Sequence, residues 1–164
     1  MGSEKFEKQF NWSLKFNPKI KKIVKSLADK IVSVRDATPH EDMTQSTDLV
    51  IKVDVGTIAA RVRKKNYTFN KYPDVTIRSY SKGYKTEIDK IKEGWASWYI
   101  YAWSEFDNWI FYDIDKVRKS GLLNKDFNEL SNYDGTKFIV IPVNNLSLIN
   151  AIVDCSKEVK KYVS

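Results

Sequence analysis

Four carboxylates and a run of arginines are the residues in this sequence whose types and spacing could do chemistry. Glu41 and Asp42 precede a polar stretch, and Asp48 opens an apolar alternating segment. Arg61 and Arg63 stand on the next such segment, and Arg78 follows on a third. Glu87 and Lys90 lie three positions apart in a helical pattern, so they share a face. Converging carboxylates can hold a hard cation such as magnesium through oxygen. Guanidinium groups can grip a phosphate bidentately or stabilise charge that develops on it. The chemistry these groups could perform together is phosphodiester binding or hydrolysis. A plainer arrangement uses the same residues, in which Asp48 and Arg63 make a cross-strand ion pair and the remaining arginines are solvated.

Other familiar chemistries are missing. The sequence has no GxGxxG, Walker loop, HExxH, CxxC or GxSxG. His40 is the single histidine and sits beside acids, which fits a surface residue better than a ligand or base. Cys155 is the single cysteine, so neither an intramolecular disulfide nor an all-cysteine metal site can form. With no histidine near it in sequence, it reads as a packing residue on a C-terminal helix.

The charge pattern favours a polyanion as partner. The 164 residues carry a formal net charge of +7, and the bases are clustered. Lys15, Lys19, Lys21, Lys22, Lys25 and Lys30 form one group; Arg61, Arg63, Lys64, Lys65, Lys71, Arg78, Lys82, Lys85, Lys90 and Lys92 form another. Such clustering is the electrostatic footprint of nucleic-acid binding, although a lysine-rich solvated surface has the same composition. Lys64, Lys65, Arg78, Lys82 and Lys85 are the candidate nucleic-acid-binding residues, because Tyr67, Phe69, Tyr72, Tyr80 and Tyr84 interleave with this cluster as possible stacking surfaces. DNA is the preferred partner over RNA. A second aromatic block, Trp95, Trp98, Tyr99, Tyr101 and Trp103, reads mainly as core.

The elements that must position these groups are legible in outline. Hydrophobic residues at 42% and aromatics at 13% are enough for a packed core and exclude disorder. No apolar run approaches a membrane span, and the N-terminal segment lacks a signal peptide's apolar stretch, so a single cytoplasmic domain over 1–164 is expected. Asn17 and Pro18 start a helix expected to run to about Val32, with Ile20, Ile23, Val24, Leu27 and Ile31 at helical spacing. Period-two alternation then predicts strands at Leu49–Val53 and Ile58–Val62 around a Gly56 turn. Pairing Asp54 with Thr57 would set Asp48 opposite Arg63 and Val50 opposite Arg61. A third strand of the meander is expected at Asp74–Tyr80, and a helix from a Thr86 cap to a Gly94 stop. Strands follow within Trp95–Trp103 and at Trp109–Ile114, then a short helix at Asp115–Leu122. The last strand, Phe138–Val143, is expected at an edge because of Pro142, and Leu146–Val163 reads as one closing helix. The fold class is α/β (α+β), with a mixed central sheet, an antiparallel strand meander and flanking helices.

This order, with acids at Glu41 and Asp48 and bases on the following strand, resembles the PD-(D/E)XK nuclease superfamily. The stretches EDMTQSTDLVIKV, IAARVRKKNY, DVTIRSYSKGYKTEIDKIKEGWASWYIYAW and IFYDIDKVRKSGLL also resemble a group of phage and prophage proteins, across residues 38–123. The resemblance implies a restriction-endonuclease-like order of elements and a magnesium ion held by Glu41 and Asp48. It further implies Arg61 and Arg63 on the scissile phosphate, with Glu87 and Lys90 assisting. Ala59-Ala60-Arg61 departs from the acid-x-lysine pattern of that superfamily, since the acid is missing and arginine replaces lysine. Arginine stays protonated but still binds phosphate. Three functions follow: a phage-type metal-dependent nuclease, a nuclease-like nucleic-acid binder that does not cut, and a viral or prophage accessory protein acting through protein contacts.

Overall fold

The computed structural model describes residues 11, 14–27, 31–36, 49–53, 56–63, 66–104, 107–124 and 129–164. Its first half contains α1 (Asn17–Leu27), β1 (Ile31–Asp36), β2 (Leu49–Val53), β3 (Gly56–Val62), β4 (Asp74–Tyr80) and α2 (Glu87–Lys92). Next come β5 (Trp98–Ala102), β6 (Trp109–Asp113), α3 (Ile114–Lys119), β7 (Glu129–Ser131) and β8 (Lys137–Pro142). The chain closes with α4 (Val143–Leu148), β9 (Ile152–Cys155) and α5 (Lys157–Val163). No helix among the described residues is long and apolar enough to cross a membrane.

The strands form two sheets. A six-stranded mixed sheet runs β1-β2-β3-β5-β6-β9, and a three-stranded antiparallel sheet runs β4-β8-β7. The expected α/β class with a mixed sheet and an antiparallel meander is present. Its meander consists of β1, β2 and β3, however, and Asp74–Tyr80 is not part of it. Instead β3 pairs in parallel with β5, Ala59 opposite Tyr99 and Arg61 opposite Tyr101. A parallel pair requires a long crossover, and the segment from Arg63 to Ser97 supplies it, depositing β4 in the second sheet on the way.

Both faces of β3 are covered, which explains why its alternation is apolar on each side. Ile58, Ala60 and Val62 bury against Ile20 and Val24 of α1, with Ile100 and Ala102 of β5. Ala59 faces the other way, into a core that includes Tyr99, Tyr101 and Trp103 and the inner side of the small sheet, Val75, Ile77, Ile139 and Ile141. Tyr99, Tyr101 and Trp103 are at most 2% exposed, so these rings pack the interior.

Several expected boundaries move. The first helix stops at Leu27, because Ile31-Val32-Ser33-Val34 is rich in β-branched residues and pairs with β2 as β1. In the β2–β3 hairpin Val53 pairs with Gly56 and Val50 with Ala59, so the register is two residues tighter than the expected Val50–Arg61 pairing. Gly56 sits at φ +146°, and a Cβ there would lie 2.7 Å from Ser97 Oγ, so glycine is required at this tight connection. β8 is the central strand of its sheet, not an edge strand; Pro142 is tolerated as its last residue, where α4 begins. The expected closing helix is split. Asn150, in left-handed conformation at φ +53°, ends α4, and Ile152-Val153-Asp154-Cys155 joins the large sheet beside β6. Cys155 therefore lies half-buried on a strand.

Candidate functional site

The two sheets meet where the free edge of β4 approaches side chains rising from β3, β5 and α2. The outward backbone groups of Asp74, Thr76 and Arg78 each find a side-chain partner there. Arg63 Nη1 donates to the carbonyl of Asp74 at 3.0 Å. The N–H of Thr76 donates to the Tyr101 hydroxyl at 3.3 Å, and that hydroxyl lies 3.0 Å from Thr76 Oγ1. The N–H of Arg78 donates to Glu87 Oε2 at 3.0 Å. An edge strand is thus stitched across the interface without a backbone ladder.

Glu87 anchors this seam. It is the first residue of α2, whose start is fixed by a capping box in which the Thr86 N–H donates to the Asp89 carboxylate at 2.9 Å. Glu87 is 2% exposed. Its Oε2 accepts from Arg61 as well as from the Arg78 backbone, and its Oε1 accepts from the Tyr99 hydroxyl. Burial pushes the Tyr99 phenol well above its ordinary range, and the neighbouring Glu87 charge pushes the same way, so Tyr99 remains a donor. Burial disfavours the charge on Arg61, yet Glu87 outweighs it and holds the guanidinium above its usual value.

Arg63 makes a second anchor. Its Nη1 lies 2.8 Å from Asp74 Oδ1 and also donates to the carbonyls of Tyr72 and Asp74. The N–H groups are aimed at the carbonyls, so Asp74 Oδ1 has close charge contact without an aligned hydrogen bond. The guanidinium lies over the Tyr67 and Tyr72 rings, 4.9 and 5.2 Å from their centroids. Burial raises the Asp74 carboxyl above its ordinary value, against the opposing pull of Arg63.

Above these anchors opens a cleft of about 120 Å³, lined by Arg61, Val62, Arg63, Tyr67, Thr76, Arg78, Asn132 and Phe138. Three arginines, from β3, its C-terminal extension and β4, therefore line one concavity together with Tyr67, Thr76 and Asn132. Glu87 and Asp74 lie behind the arginines and not on the lining. Such a wall suits an anion with several acceptor oxygens.

Compared with known proteins, the chain matches no family model, no curated protein and no solved structure.

The sequence candidates divide into groups. Arg61, Arg63 and Arg78 converge on the cleft, and Glu87 sits directly beneath it. Lys90, the expected companion of Glu87, is buried on α2 at 6% exposure. Lys82 and Lys85 are exposed on the loop between β4 and α2, and Lys85 pairs with Glu93 at 2.7 Å. Glu41, Asp48, Lys64, Lys65 and His40 lie outside the described residues, so the Asp48–Arg63 pairing does too. Of the aromatics interleaved with bases, Phe69 is core at 3% exposure, whereas Tyr67, Tyr80 and Tyr84 are exposed. Sequence reasoning missed Asp74, Tyr99, Thr76, Asn132 and Phe138. A signal existed only for Asp74, which opens a strand shortly after a basic one.

The described residues do not fit a magnesium site. Glu87 is the acid that α2 brings to Arg61, but its oxygens are already engaged by an arginine, a backbone N–H and a phenol. No group of three or more metal-ligating side chains occurs among the described residues. The position that would carry the missing acid, Ala59, is fully buried in the core, where a carboxylate could not be hydrated.

Proposed function

We propose that this protein binds nucleic acid through its phosphates at the Arg61–Arg63–Arg78 cleft. The observation that carries this reading is that three arginines line one concavity. Arg61 and Arg63 are pre-positioned by Glu87 and Asp74, so they lose little conformational freedom when a phosphate arrives. Arg78 is exposed at the rim, where it can meet an approaching polyanion. The overall charge of +7 supplies long-range attraction with the same sign. Holding phosphates is what such a wall can do, and among the described residues the carboxylate beside Arg61, that of Glu87, is already engaged. The partner implies a compartment that holds nucleic acid, and we place the protein in the cytoplasm.

The test is binding of labelled DNA and RNA at rising salt. Each neutralised phosphate releases counterions, so affinity should fall log-linearly with salt. Arg78→Ala should weaken binding and reduce the magnitude of the slope by about 1. A well-folded protein that binds no single- or double-stranded DNA or RNA at low salt would overturn the proposal and leave the protein-contact role.

A further inference from the structure

The face beside the cleft specifies which form of nucleic acid fits. Across the small sheet, Arg78 of β4 pairs with Phe138 of β8, and Phe138 pairs with Leu130 of β7. Val75, Ile77, Ile139 and Ile141 occupy the opposite face and are buried. Arg78, Phe138 and Leu130 therefore form a row on the outer face. Arg78 is exposed, Phe138 is partly exposed, and Leu130 is 54% exposed. Both Arg78 and Phe138 also line the cleft, so the row continues from it without a break. Tyr67 also lines the cleft, 40% exposed, its ring held by Tyr72 at a centroid distance of 5.1 Å and by Arg63.

Resting on the phosphate-binding reading, we infer that the ligand is single-stranded nucleic acid, with phosphate in the arginine cleft and bases laid on Tyr67 and Phe138. A duplex turns its phosphates outward and keeps its bases stacked inside, so aromatic rings beside a phosphate site gain nothing from it. Unpaired bases have free faces, and stacking them on aromatic or guanidinium planes is how sheet surfaces hold single strands. Size points the same way. The cleft is narrow, with about 120 Å³ of space. The deeper guanidiniums, Arg61 at 26% and Arg63 at 9% exposure, are reached only by a backbone that can bend inward. A single strand bends easily; a duplex is stiff over about 150 base pairs.

The experiment measures fluorescence anisotropy of the full chain with labelled mixed-sequence oligonucleotides: single-stranded DNA, single-stranded RNA and a blunt duplex of the same sequence. Single strands of one or both sugars should bind at least about tenfold tighter than the duplex, since each stacked base is worth roughly that factor or more. Phe138→Leu and Tyr67→Leu keep apolar bulk but lose the ring, and each should weaken single-strand binding about tenfold while weakening duplex binding far less. Tyr67→Phe should retain single-strand affinity, and thermal melting would verify that each variant is folded. Duplex binding as tight as single-strand binding, or ring-removing variants that bind single strands normally, would overturn the inference while the phosphate-binding reading stands. Absence of binding to all three probes would overturn both.

Discussion

The two walls of the arginine cleft are built from the same side chain in opposite ways. On the inner wall, Arg61 and Arg63 rise from the large sheet and are locked to Glu87 and Asp74 with low exposure. On the outer wall, Arg78 is exposed on the small sheet, and its backbone N–H donates to Glu87. The inner arginines therefore tie the large sheet to β4 and α2 as well as lining the cleft, whereas Arg78 is exposed at its rim. On the proposed reading, one wall holds shape and the other meets a ligand. Substitutions on the two walls should accordingly separate stability from binding.

The largest effect is expected at Glu87. Replacing it by Gln leaves Arg61 as an uncompensated, largely buried charge and weakens the Tyr99 and Arg78 contacts. Breaking one partner of a buried pair costs about 3–5 kcal/mol, so Glu87→Gln should lower the melting temperature sharply in calorimetry. An apolar double replacement, Arg61→Met with Glu87→Leu, should recover much of that loss, because it removes both charges from the interior. If Glu87→Gln melts like the parent, the inner wall is not the clamp described.

Next comes Tyr99→Phe, which deletes one donor to a buried carboxylate and should cost about 2 kcal/mol. The same phenol sets a pH dependence. Burial raises Tyr99, Tyr101 and Tyr112 above their ordinary values, so the folded state keeps protons that the unfolded chain loses near pH 10. Folded pKa values above unfolded ones mean stability that is fully present below about pH 10 and lost as pH rises further. Denaturant midpoints measured from pH 7 to 11 should show a steep alkaline loss, shallower in Tyr99→Phe. A flat profile to pH 11 would show that these phenols are not shielded.

How far the sequence foretold this arrangement depended on whether the information was local. Thr86 and Gly94 bracket α2 by capping and stop chemistry, and the β2–β3 hairpin follows from alternation around Gly56. Arg61, Arg63 and Glu87 were nameable because charges stand out in an apolar strand and on a short helix. The parallel β3–β5 pairing was not readable, since nothing in Ile58–Val62 states whether its second neighbour is sequential or arrives by crossover. Without that pairing, β4 seemed to continue the meander, and the cleft between sheets could not be drawn. Phe138 and Asn132 were missed for the same reason: they reach the cleft only through the β4-β8-β7 sheet. The Leu146–Val163 segment misled because its apolar spacing satisfied a helical period, while the break at Asn150 depends on a single left-handed residue.

The smallest stability effect, and the sharpest contrast with Glu87, belongs to the rim. Arg78→Ala removes an exposed side chain whose backbone N–H still reaches Glu87, so the melting temperature should change by no more than an ordinary surface substitution, within about 0.5 kcal/mol. Lys85→Ala should behave likewise, because its pair with Glu93 is solvated on both sides, at 66% and 54% exposure. The two should part company in nucleic-acid binding. Lys85 lies outside the cleft and adds only diffuse attraction, which salt screens. Arg78 lines the cleft, so on the proposed reading its loss removes a direct phosphate partner. Anisotropy titrations at two salt concentrations should therefore show Arg78→Ala weakened at both, and Lys85→Ala weakened only at the lower. Equal losses for the two variants, vanishing together at higher salt, would mean that the basic surface binds as a whole and that the outer wall has no special role.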